Sequence, residues 1–118
     1  MTLDEYFAGH EDSRPLLEAL QRMVRTIGPA ALRVTRSQIA FRRRKAFAWA
    51  WVPGKYLRGK RAPLVLTLVL RSRHPSPRWK EIVEPSPGRF THHLELFSPK
   101  DLDDEVCGWP QDAWLKAA

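Results

Sequence analysis

Two kinds of side chain in this sequence could act together chemically: cations and aromatic rings. Arg42, Arg43, Arg44 and Lys45 form an unbroken basic run, and Lys55, Arg58, Lys60 and Arg61 follow in a stretch punctuated by Gly54 and Gly59. Arg71 and Arg73 add two more. Cations so grouped attract phosphates, and the counterions they displace make such binding depend on salt. Tyr56 lies within the second group and offers a ring for base stacking, and Trp49 and Trp51 would extend that platform if they face water. Against this stands the ordinary fate of apolar residues alternating along a strand, which is burial in a core.

The charge distribution strengthens the cationic reading. Net charge is +7, yet no Asp or Glu occurs between Ala19 and Lys80, a block that holds sixteen Lys or Arg. Five of the acids precede that block and eight follow it. Unless folding lays the acidic ends over the middle, the centre presents a positive field that draws anions from a distance.

Other constellations are thinner. The loop from Pro53 to Arg61 invites a phosphate-cradle reading because glycine lets backbone amides approach an anion, but it lacks the Gly-Lys-Ser/Thr ending of a Walker motif. His92 and His93 are adjacent, so on a strand they point to opposite faces and cannot share one metal ion. His93 and Glu95 do share a face, about 6.5 to 7 Å apart, within reach of acid-base cooperation or of a plain surface ion pair. Cys107 follows Asp103, Asp104 and Glu105, whose carboxylates raise a thiol pKa and oppose a nucleophilic role. No catalytic residue, metal ligand or cofactor is assigned.

These groups need elements to position them. A chain of 118 residues, 43% hydrophobic and 28% charged, suits one domain spanning residues 1–118. With Cys107 as the sole cysteine no internal disulfide is possible, and the apolar runs are too short for a membrane helix, so a soluble cytoplasmic protein is expected. Asp4 to Ala8 reads as a helical turn. A helix follows, capped by Ser13 or Asp12, opened by Pro15, carrying Leu16, Leu17, Leu20, Met23, Val24 and Ile27 on one side, and stopped at Gly28-Pro29.

Val34 to Phe41 reads as a strand, paired through the basic tip with Ala46 to Val52, where strict alternation sets Phe47, Trp49 and Trp51 on one face and the alanines on the other. Pro63 to Leu70 is a central strand and Phe90 to Phe97 the last one. The prolines around Arg78 to Val83 leave room there for only a single helical turn. Ser98-Pro99-Lys100-Asp101 starts a final helix, with a kink or break expected before Pro110. The fold class is therefore α+β: an N-terminal helix, a four-stranded mainly antiparallel sheet and a C-terminal helix, with the helices on one face.

With the elements laid out, the segments VTRSQIAF (Val34 to Phe41), AFAWAWVP (Ala46 to Pro53) and GRFTHHLELFSPKDLDDEV (Gly88 to Val106) resemble the uncharacterised bacterial domain of unknown function 5655. The resemblance runs from about Leu16 to Leu115 and rests on structural motifs. It implies a compact α+β domain, sometimes attached to nuclease-like or restriction-associated proteins, and it carries no functional residues over. In the family the position of Arg36 is more often Lys. A weaker similarity to frataxin-like domains is set aside because an acidic ridge for iron is missing.

The expectation is thus a small basic binding module that contacts nucleic acid or another polyanion through Arg42, Arg43, Arg44, Lys45, Lys55, Tyr56, Arg58, Lys60 and Arg61. Two alternatives stand beside it. One is a small anionic ligand or an enzyme site on the sheet face at Arg36, Trp49 and Trp51; the other is a protein-interaction domain, including a homodimer through an edge strand.

Overall fold

A computed structural model describes every residue except 57, 58 and 60. The protein is α+β, with six strands where the sequence suggested four, all antiparallel and ordered β1-β2-β3-β4-β6-β5. The strands are β1 (Ala31–Val34), β2 (Ile39–Arg42), β3 (Ala46–Trp51), β4 (Leu64–Leu70), β5 (Glu81–Ser86) and β6 (Arg89–Leu96). The helices are α1 (Leu3–Tyr6), α2 (Arg14–Ile27) and α3 (Asp104–Lys116), with short 3-10 turns at Glu11–Ser13, Pro53–Lys55 and Pro99–Asp101.

Both additional strands have physical causes. The segment expected as one strand folds on itself at Arg36 and Ser37: the Thr35 amide donates to the Gln38 carbonyl (2.9 Å), and the Gln38 amide donates to the Thr35 hydroxyl (3.3 Å). A threonine side chain closes this turn in place of the Asn-Gly or Asp-Gly pair that marks tight hairpins. The other is β5, where a helical turn was expected. Its Pro85 is tolerated because the strand is an edge, and the register shift between Val83 and Ser86 leaves Glu84 and Pro85 out of the pairing.

One face of the sheet is covered. Ile39, Phe41, Ala48, Ala50, Leu66, Leu68, Leu94 and Leu96 form a single buried cluster with Leu16, Leu17, Leu20, Met23 and Val24 of α2 and Val106, Trp109 and Ala113 of α3. The helix starts differ from expectation. Ser13 makes no capping bond to α2, whereas α1 has a full capping box between Thr2 and Glu5. Ser98 caps only a 3-10 turn; α3 begins later, where Asp103 accepts from the Val106 amide, and it runs through Pro110 without a break.

The facing of β3 is the chief correction. Phe41 and Arg42 of β2 pair with Ala48 and Ala46, so Phe47 is an extra residue without a partner. Such a bulge interrupts the alternation, and Phe47 joins Ala48 and Ala50 in the core. Trp49 and Trp51 are left on the other face, the one without helices, with Thr67, His93 and Glu81 aligned across β4, β6 and β5 beside Trp49.

Candidate functional site

The helix-free face carries a shallow groove floored by β3, β4 and β6. Its middle is a concavity of about 570 Å³ bordered by Trp49, Trp51, Tyr56, Thr67, Thr91 and His93. Both tryptophans are half-buried and Tyr56 is exposed. A bonded row fixes the floor. The Trp51 indole N–H donates to the Thr67 hydroxyl (2.9 Å), and that same oxygen lies 2.8 Å from His93 Nδ1. Trp51 and His93 also meet edge to face, with ring centroids 5.9 Å apart. Thr67 can accept from Trp51 and donate to Nδ1, which places the imidazole proton on Nε2. Burial pushes the His93 pKa down and favours the neutral ring, against a smaller opposite pull from the Glu81 carboxylate. Tyr56 closes one side, its hydroxyl donating to the carbonyls of Ser37 (2.8 Å) and Arg36 (3.2 Å).

Cations lie at both ends of this groove. At one end Trp49, Val69 and Arg89 continue into a second concavity of about 300 Å³, which adds Lys45, Arg71 and Lys116. At the other, Trp51 and His93 border a hollow of about 210 Å³ with Arg61, Lys80, Glu81 and Glu95. Within the acid-free block only Arg78 and Lys80 form ion pairs among the described residues: Arg78 with Asp103 and Glu105, and Lys80 with Glu95 at 4.0 Å. Among the described residues the other cations of the block have no carboxylate partner within ion-pair distance.

The structure separates the residues that the sequence grouped. The basic tip and the described start of the following loop, Pro53 to Tyr56, sit at opposite ends of β3, about 20 Å apart for a strand of six residues. At the tip, Lys45 alone opens on the groove. The Arg43 guanidinium stacks on Trp114 (3.6 Å) and donates to its carbonyl, the Arg44 amide donates to the Ala117 carbonyl, and Arg42 is half-buried at the end of β2. Lys55 is turned to structural use: its ammonium lies over the Tyr6 ring (3.6 Å) and donates to the Tyr6 carbonyl (2.6 Å), and burial pushes its pKa down. Arg58 and Lys60 lie outside the described residues. Arg36 is exposed and contributes its carbonyl to the Tyr56 bond, its side chain taking no place in the groove wall.

The remaining candidates resolve simply. His92 and His93 do point to opposite faces. His92 is fully buried on the helix side, where its Nδ1–H donates to the Phe90 carbonyl and Nε2 accepts from the His74 amide. No cluster of three metal-ligating side chains occurs among the described residues. Cys107 has its pKa raised by burial and by Asp104 and Asp103. Thr67, Arg89 and Lys116 were missed by sequence reasoning. Threonine on a central strand gives no signal of its own, and the two cations stand in segments whose overall charge is acidic.

Fold and groove together define a class: an α+β domain whose antiparallel sheet is covered by helices on one side and displays tryptophans, a histidine and flanking cations on the other. The chain belongs to the family described as Domain of unknown function (DUF5655), whose model matches residues 3–117. No curated protein and no solved structure matches it. No helix is long and apolar enough to cross a membrane, among the described residues.

Proposed function

We propose that this protein binds single-stranded nucleic acid across the helix-free face of its sheet. The observation that carries the reading is the outward facing of Trp49 and Trp51 in a groove with cations at both ends. Open antiparallel sheets bearing aromatic residues offer bases a stacking surface, and flanking Lys and Arg hold the phosphates. A duplex keeps its bases stacked inside, so rings in a shallow groove favour the single strand. Of the cations named from the sequence, Lys45, Arg61 and Arg71 serve in this arrangement. Arg89 and Lys116 take the place of Arg43 and Lys55, which are engaged internally.

Titration of labelled single- and double-stranded oligonucleotides over a salt series tests the reading. The single strand should bind more tightly, quench tryptophan fluorescence and weaken steeply as salt rises. Failure of both to bind at low ionic strength, or a preference for duplex, overturns it.

A small anionic ligand is the second reading, favoured by the size of the middle concavity, about 570 Å³, and by the bonded Tyr56 on one side of it. It predicts saturable tryptophan quenching by a mononucleotide with no gain from a longer strand.

A further inference from the structure

The groove does not end symmetrically. Beyond Trp49 it meets a wall formed by Ala113 and Ala117 at the end of α3, and around that wall stand Lys45, Arg71, Arg89 and Lys116 without a carboxylate. The wall is fastened in place, because Arg43 and the Arg44 amide tie the β2–β3 tip to the last carbonyls of α3. Leu70 pairs with Phe90, so Arg71 and Arg89 are neighbours one step further along β4 and β6. Like charges in that relation repel. None of the four cations forms an ion pair among the described residues.

We infer that this four-cation pocket receives the terminal phosphate of a single strand whose first bases lie on Trp49 and Trp51. The inference rests on the single-strand reading above and adds the substrate class, a phosphate-terminated end. Two considerations select an end over a passing backbone. The end of α3 borders the pocket with Ala113 and Ala117, so a continuing strand would have to pass over it. A terminal phosphomonoester also carries close to two negative charges near neutral pH, where an internal diester carries one, and it presents three oxygens for the two guanidinium forks.

The test compares three short oligothymidylates of equal length, bearing a 5′-phosphate, a 3′-phosphate, or hydroxyls at both ends, each labelled away from the end under test. One phosphorylated strand should bind about tenfold more tightly than the unphosphorylated strand. Inorganic phosphate should compete for that difference. Arg71→Gln and, separately, Lys116→Gln should erase the preference, with circular dichroism confirming that each variant is folded. Because Lys116 lies in the last turn of α3, its replacement keeps the question answerable if the Arg71 variant fails to fold. Equal affinity of all three strands overturns this inference and leaves the single-strand reading standing. Binding by none overturns both. A phosphate preference that survives both substitutions places the phosphate elsewhere and overturns the assignment.

Discussion

Trp51 reaches across from β3 to β4 and gives its indole N–H to the hydroxyl of Thr67, 2.9 Å away. This bond holds one of the two indoles of the groove at a fixed tilt, and through the same oxygen it orients His93. Thr67→Val should therefore leave both nitrogens without their partner while keeping the shape of the strand. The expected cost is about 1–3 kcal/mol of stability, read by urea denaturation. Oligonucleotide affinity should fall at the same time, since Trp51 loses its fixed orientation. An unchanged midpoint and unchanged affinity would show that the row is incidental.

Gly28 follows α2 with an extended backbone that any residue could adopt, so its need for glycine comes from a neighbour. The Trp114 ring lies where a β-carbon would stand, held by its N–H donating to the Pro29 carbonyl (2.9 Å) and by Arg43 stacked on it. Gly28→Ala should destabilise by about 1–3 kcal/mol through displacement of Trp114. Thermal melts would reveal it; a wild-type Tm would mean that the ring has room to move.

Tyr6 is fully buried, accepts from the Val52 amide (3.1 Å), and burial pushes its pKa up to about 12. The unfolded chain releases this proton near the ordinary tyrosine value of 10.0, while the folded chain keeps it. Stability from this group should be whole below pH 10 and decline as pH rises towards 12. Tyr6→Phe should flatten that alkaline decline and cost about 1–3 kcal/mol at neutral pH by leaving the Val52 amide unpaired. Paired denaturation curves at neutral and alkaline pH would check both effects.

His92 behaves in the opposite direction. Burial is the largest cause holding its pKa below 6.5; the hydrogen bond to the Phe90 carbonyl opposes it, and the neighbouring His74, Arg73 and His93 add smaller pushes downward. Unfolding lets the ring take up a proton, so stability should be whole above the unfolded value near 6.5 and fall as pH drops below it. His93, also depressed, adds to the same slope. His92→Gln, scanned by Tm from about pH 7 to about pH 5, should show a shallower acid decline. An identical slope would locate the sensitivity elsewhere.

Much of the architecture was legible because it rests on local pattern. The apolar face of α2, the leucines of β4 and the Phe90-His92-Leu94-Leu96 row all lie as their spacing implies. The losses have particular causes. Thr35 closes a turn with a side chain that carries no strong turn signature, and Pro85 sits on the one kind of strand that admits proline. Phe47 adds a residue to β3 that only pairing with β2 exposes. The groove was half legible: Trp49, Trp51 and Tyr56 stand out in the sequence and border it, but the facing of the tryptophans depended on that pairing. Two of its cations, Arg89 and Lys116, come into place only when β6 and α3 dock.

The bulge at Phe47 has a consequence for how the chain tolerates change. On β3 the smallest residues, Ala48 and Ala50, lie against the helical layer, and the largest, Trp49 and Trp51, look outward. A full substitution scan of this strand should consequently give an inverted profile. Enlarging an alanine should cost more stability than shrinking a tryptophan, whose loss should be felt first in the oligonucleotide titration.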